Sequence, residues 1–267
     1  MFQSSSQVHR DLQWIVESGM LANGNEPFIM SHQYLDKFSP ASVPSVSYVG
    51  SRRIGHYFEW LWKQLLDHSG EWKIEMNERQ IISNKTTLGE IDLIVSTCSH
   101  TVVSIEHWEL AVKFYLAFEG RWLGPNPEDS LHDKLDHMQR HQLSLSDSHA
   151  FINQYPTLHP DNKQMVIQGR LYVNPFLSSS HVNDTRIATN RVTGAWCWKN
   201  QIPDKKAFYL LGRDQWLGLE DIAKLPEIQG QDIRKLPNTV HALDDSGKPW
   251  FFVNDFWPFR DHKKATD

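Results

Sequence analysis

The sequence predicts a mixed α/β fold, and three observations predict it. An amphipathic helical stretch follows Ser51, three strand-like stretches follow between Trp72 and Tyr115, and a second helical stretch then leads to a strand ending at Val173. The order helix, three strands, helix, strand describes an antiparallel meander and a crossover.

The elements follow in chain order. Residues 9–21 read as a short amphipathic helix, with Leu12, Ile15, Val16 and Met20 near helical spacing. Residues 23–50, rich in Pro, Ser, Asn and Gly, read as a connecting segment. Ser51 is placed to cap a helix running to about His68, whose face carries Ile54, Phe58, Leu61 and Leu65, with Gly70 as its stop. Residues 72–82 form a first strand with Asn77 and Glu78 as an internal turn, residues 88–96 a second, and residues 101–115 a long third. Ser99 and His100 mark the turn between the last two. Leu131, Leu135 and Met138 argue for a helix over residues 128–143, and QMVIQGRLYV over residues 164–173 for a further strand.

From about Phe176 the chain changes to short aromatic runs, GAWCWK at residues 194–199, residues 208–211, and WFF at residues 250–252. The expected division is an N-terminal helix and connecting segment (1–50), a core (51–176) and a smaller, aromatic-rich C-terminal lobe of mixed class (177–267). The aromatics of GAWCWK and WFF could stack on unpaired bases, but period-two aromatics in strands more often pack a core.

Composition narrows the function classes. Hydrophobic residues make up 40% and charged residues 22% of the chain, the balance of a globular protein. A net charge of −5 argues against a protein that coats nucleic acid, because such binding rests on Lys and Arg neutralising phosphates. It leaves room for an enzyme with a local basic groove. Cys98 and Cys197 lie far apart, so no disulfide framework or Cys-based zinc site is expected. The N-terminus has no basic segment followed by an apolar run, and no stretch is apolar enough to insert in a membrane. A cytoplasmic location is the expectation.

Chemistry concentrates in TLGEIDLIV (residues 87–95) and EHWELAVKFYL (residues 106–116). Side chains alternate faces along a strand, so Glu90 and Asp92 share one face of the first segment. Glu109, Ala111 and Lys113 share one face of the second, with Trp108, Leu110 and Val112 on the other. If the polar faces coincide, two carboxylates converge beside an ammonium, and the small Ala111 leaves room for a ligand. Mg²⁺ prefers such hard oxygen donors and often takes only one or two carboxylates plus substrate phosphate. The same spacing also fits a half-exposed sheet with solvated acids and a salt-bridged lysine.

A helix bearing a glutamate, a strand with Gly-Glu-x-Asp, and a strand with Glu and Lys on one face together resemble the PD-(D/E)XK nuclease superfamily. RRIGHYFEWLW, TLGEID, ELAVKFYL and RWLGPN look like a bacterial domain family of unknown function placed in it, over roughly residues 9–175. The resemblance implies a restriction-endonuclease-like core, a mixed sheet flanked by helices, that hydrolyses phosphodiesters of nucleic acid with Mg²⁺ or Mn²⁺. It implies Asp92, Glu109 and the helix residue Glu59 as metal ligands, with the Leu110 carbonyl as a further one, and Lys113 as the catalytic lysine. Glu90, on the same face as Asp92, is an additional ligand candidate. Lys113 comes four residues after Glu109 where the superfamily usually has two, which shifts it about 7 Å along the strand. Ile91 stands where the superfamily often has proline. These departures leave an alternative, a nuclease-fold binding or interaction module that has lost hydrolysis. Many nuclease-like domains pair to cut both strands, which brings in a second copy or a partner protein.

Other residues are candidates by position. Lys134, Gln139 and Arg121 could contact phosphate or a leaving group, and Arg52 and Arg53 a basic rim. His137 and His141 stand four apart on the second helix, but Met138, Gln139 and Arg140 between them exclude an HExxH zinc site. No P-loop, GxGxxG or GxSxG pattern occurs.

Overall fold

The computed structural model describes residues 1–97, 103–178 and 182–259. Its strands are β1 (Phe2–Gln3), β2 (Tyr48–Val49), β3 (Trp72–Ser83), β4 (Thr86–Thr97), β5 (Ile105–Phe118), β6 (Arg121–Leu123), β7 (Asn162–Val173), β8 (Val192–Trp198), β9 (Ala207–Leu210), β10 (Glu227–Gln229), β11 (Val240–Leu243) and β12 (Pro249–Val253). Its α-helices are α1 (Ser5–Ser18), α2 (His32–Leu35), α3 (Ile54–Asp67), α4 (Leu131–His137), α5 (His149–Gln154) and α6 (Gly230–Ile233). Apart from β1 and β2, which pair with each other, the strands form one ten-stranded sheet. Its order is β10-β9-β11-β12-β8-β7-β5-β4-β3, with β6 on β5. The sheet is mixed, since β8 runs parallel to both β7 and β12 while β3, β4 and β5 are antiparallel. A mixed α/β fold with a large sheet flanked by helices is what the sequence predicts. Among the described residues no helix is long and apolar enough to cross a membrane.

The chain divides into two compact units, Met1–Val112 with Lys134–Gly169 and Arg186–Ala188, and Lys113–Asp133 with Arg170–Thr185 and Thr189–Asp267. In the first unit α3 buries Phe58, Leu61 and Leu65 as the spacing predicts, together with Tyr57, Trp62 and Leu66. Its N-cap is Arg53 rather than Ser51, whose hydroxyl accepts from the Arg53 N–H at 3.1 Å. Gly70 follows at φ +70, a conformation that glycine adopts without strain. α1 begins four residues before the predicted start, because Ser4 caps it by accepting from the Gln7 N–H at 3.3 Å. The segment 23–50 carries short pieces of its own, α2 and β2.

The expected internal turn at Asn77–Glu78 is corrected. β3 runs unbroken, pairing Asn77 with Leu93 and Arg79 with Ile91. Glu78 does take a positive φ of 46, but the ladder on either side carries the strand through it. The hairpin turns at Asn84–Lys85, where two consecutive positive φ values (48 and 66) match the twist of the paired strands. The expected turn at Ser99–His100 lies outside the described residues, and the third strand extends to Phe118.

Trp108 of β5 is fully buried and meets Trp62 and Trp72 edge-on, at ring-centre distances of 5.9 and 5.2 Å. Its indole N–H donates to the buried Glu106 at 2.8 Å, and the Tyr34 hydroxyl donates to the same carboxylate at 3.0 Å. On α1 the buried Asp11 accepts from Tyr57 of α3 at 2.6 Å and from Gln7 at 2.8 Å.

In the second unit the aromatic runs are core. Trp196, Phe251 and Phe252 are fully buried, as is the free thiol Cys197, while Trp198 is half-buried. Period-two packing, not base stacking, accounts for the buried rings. The turn from β11 to β12 is built on Asp244, which accepts from the Ser246 N–H (3.0 Å) and hydroxyl (2.6 Å), the Lys248 N–H (3.0 Å) and the Trp250 indole (2.9 Å). Burial opposes its charge, but these bonds outweigh it and hold the carboxyl below its ordinary range. Asp244→Ala is expected to lose about 2–3 kcal/mol in chemical denaturation at pH 7. Because the folded carboxyl is the stronger acid, its contribution is present above the unfolded value of about 3.9 and is lost as pH falls through the folded one. The gap between wild type and variant should therefore narrow in strong acid.

Candidate functional site

The ladder between β4 and β5 runs from Ser96 opposite Ile105 to Leu93 opposite Trp108. The next residues in line are Asp92 and Glu109, and there side chains replace backbone partners. The Leu110 N–H donates to Asp92 Oδ2 at 2.8 Å, and the Asp92 N–H to Glu109 Oε1 at 3.4 Å. β4 meanwhile keeps its pairing with β3 on both sides of Asp92. The two strands thus part at the residues that bring two acids together.

Glu109 is fully buried. His107 Nε2 lies 2.8 Å from its Oε1, and the Gln142 side-chain amide donates to its Oε2 at 2.5 Å. The Lys134 ammonium in turn donates to Gln142 Oε1 at 2.8 Å. Burial and the positive charge of Lys163 push the His107 imidazole down to about 3, so it stays neutral. With Glu109 ionised, Nε2–H donates to the carboxylate and Nδ1 accepts from the Ser146 hydroxyl, 2.9 Å away.

Burial and the neighbouring Glu109 charge push the Asp92 carboxyl up to about 8. Burial raises Glu109 to about 7, against the pull of the Asp92 N–H, Lys134 and Gln142. Two acids so placed resist ionising together, the condition in which a pair shares a proton. Glu59 of α3 is 19% exposed, with His56 Nδ1 at 3.5 Å. Burial and then the charge of Asp92 raise its carboxyl above the ordinary range.

Asp92, Glu109 and Lys134 therefore gather in the first unit, to which Glu59 on α3 also belongs. Gln139 is half-buried, and it is Gln142 that reaches Glu109. The second helix is also corrected, since it does not run from Glu128 to Leu143. α4 ends at His137 and the chain continues as a wide π turn over Met138–Gln142, a geometry frequent at functional sites. His137 and His141 stack on each other at 5.3 Å across it.

The other predicted residues lie as follows. Lys113 belongs to the second unit, where its ammonium meets Asp129 at 2.6 Å and the Tyr115 hydroxyl donates to the same carboxylate at 3.0 Å. Arg121, also there, is exposed and 3.7 Å from Asp133. Glu90 is exposed and opposite Gln80 in the ladder. Arg52 and Arg53 are exposed ahead of α3. Sequence reasoning missed His107, Gln142 and Ser146. His107 was within reach, since the period-two rule that pairs Glu109 with Lys113 puts His107 on the same face.

The acids offer hard oxygen donors, and their mutual repulsion is the condition a cation relieves. Among the described residues no three His, Cys, Asp or Glu side chains converge into a cation cage.

Comparison with known proteins finds one match. A family model covers residues 10–248, while no curated protein and no solved structure matches the chain.

Proposed function

The chain belongs to the family described as a domain of unknown function (DUF1853), and we propose that this member is a metal-dependent phosphodiesterase of the PD-(D/E)XK kind, acting on nucleic acid by water attack on a phosphodiester. The observation that carries the reading is the meeting of Asp92 and Glu109 where β4 and β5 part, with Lys134 linked to Glu109 through Gln142.

Asp92 and Glu109 would hold Mg²⁺ or Mn²⁺, with Glu59 at the margin of the same charge cluster. Such an ion, when bound, polarises a phosphoryl oxygen and acidifies water. The chain's own groups do the rest. His107 fixes the rotamer of Glu109 and is itself fixed by Ser146. Lys134, aimed by Gln142, supplies positive charge where the phosphorane gathers negative charge. Lys113 is engaged by Asp129, so the lysine role falls to Lys134.

A second reading has its own support, a nuclease-fold module that binds without cutting. The carboxylates already accept hydrogen bonds from two backbone amides, Gln142 and His107, which is a sufficient structural employment. Cleavage of labelled single-stranded DNA, duplex DNA and RNA, with Mn²⁺ or Mg²⁺ against chelator, separates the two. Wild type is expected to cut at least one substrate, Lys134→Ala to cut about 10²-fold more slowly, and Lys113→Ala to keep most of the rate. No cutting of any substrate, with no cation bound, favours the binding module.

A further inference from the structure

The π turn that follows α4 carries a pair of histidines that the acids do not use. His137 is the last residue of α4 and His141 lies in the turn over Met138–Gln142, four residues on. Residues so spaced are neighbours on a helix surface. Both side chains are exposed, and neither imidazole has a hydrogen-bond or ion-pair partner among the described residues. Each ring meets the other instead, with centres 5.3 Å apart and planes 29° from parallel.

That separation is informative. An imidazole nitrogen sits about 2.0–2.1 Å from a bound ion and its ring centre roughly 1 Å beyond, so two imidazoles on one tetrahedral ion have centres about 5 Å apart. The pair stands at the spacing that a shared ion requires. Neighbouring cations are engaged elsewhere: Arg140 turns to Asp136 at 3.8 Å, and the Lys134 ammonium donates to Gln142 at 2.8 Å.

Donor type selects the ion. Imidazole suits Zn²⁺, Cu²⁺ and Ni²⁺, whereas Mg²⁺ and Mn²⁺ favour oxygen. Among the described residues no third His, Cys, Asp or Glu joins the pair, so water would complete the shell and the ion would exchange readily. Met138, Gln139 and Arg140 fill the interval, which leaves no glutamate there to act as a base. We propose that His137 and His141 form a binding site for an exchangeable transition-metal ion of the Zn²⁺ and Cu²⁺ kind, which ties the end of α4 to the π turn. The tie closes over the same turn that the bond from Lys134 to Gln142 spans. It is separate from the acid pair and stands whether or not those acids cut nucleic acid.

The test is calorimetric titration of the untagged, chelator-stripped full chain with Zn²⁺ and with Cu²⁺. Asp92→Asn serves as the parent, so that the acid pair is disabled as a competing site. His137→Ala and His141→Ala each remove one ligand at an exposed position, and His149→Ala, another exposed histidine, is the control. About one ion per chain should bind the parent in the micromolar range, about tenfold more weakly or worse in each pair variant, and equally well in the control. Amide hydrogen exchange over residues 138–142 should slow when Zn²⁺ is added to the parent and stay unchanged in the pair variants. No saturable binding of either ion, undiminished affinity in either pair variant, an equal loss in His149→Ala, or exchange that Zn²⁺ does not slow in the parent overturns the proposal.

Discussion

Asp92→Ala is expected to abolish cation binding in calorimetry with Mg²⁺ or Mn²⁺ and to slow any cation-dependent cleavage about 10³-fold or more. Asp92 stands where a cation would be held on one side by its own carboxylate and on the other by Glu109. Removing it takes away a ligand and also the acceptor of the Leu110 N–H. Asp92→Asn separates the two losses. The amide oxygen still accepts from Leu110, so the fold is kept, while the charge that would attract the ion is gone. Urea denaturation should find Asp92→Asn close to wild type and Asp92→Ala less stable, with both failing to bind the ion. Undiminished ion binding by Asp92→Asn would remove the basis for the enzyme reading.

Trp108→Ala is the substitution with the largest expected effect on stability, about 4–5 kcal/mol in chemical denaturation. The side chain is fully buried among Trp62, Trp72, Tyr34 and Phe38, a cluster that cannot close over so large a gap. The loss also deprives the buried Glu106 of its indole donor, leaving it with Tyr34 alone of its two side-chain partners. Trp108→Phe should recover part of the packing and none of the hydrogen bond. Trp108 is the last residue of β5 paired with β4 before the acids, so its variants should weaken the site with the fold.

Much of this was legible in the sequence, for identifiable reasons. α3 announced itself because Phe58, Leu61 and Leu65 repeat on one face, and burial follows that face. Asp92 and Glu109 could be paired because alternation along two neighbouring strands fixes which side chains share a side. Glu59 came through resemblance, not spacing. Glu78 was read as a turn because its local pattern breaks, yet the long ladder with β4 overrides one residue of unusual backbone. β10 and β11, of three and four residues, carry too little alternation to be seen before their neighbours are in place. Gln142 was out of reach for another reason. A π turn leaves no local signature, so nothing in the helical pattern marks Gln142 as the residue that reaches Glu109. The lysine question has the same root. Lys113 lies on the expected strand, whereas Lys134 reaches the acids through a contact that strand periodicity cannot encode.

The parting of β4 and β5 has a consequence for the history of such a chain. Asp92 and Glu109 are ligand candidates and also the mortar of a seam, since each caps a backbone amide that no facing strand serves. Selection for folding alone would retain both acids after hydrolysis had ceased, so their presence in a relative is no certificate of catalysis. Lys134 reaches toward the seam through the Gln142 side chain, and Glu59 lies beside His56 on α3. In a lineage that has stopped cutting, drift should erase those two first.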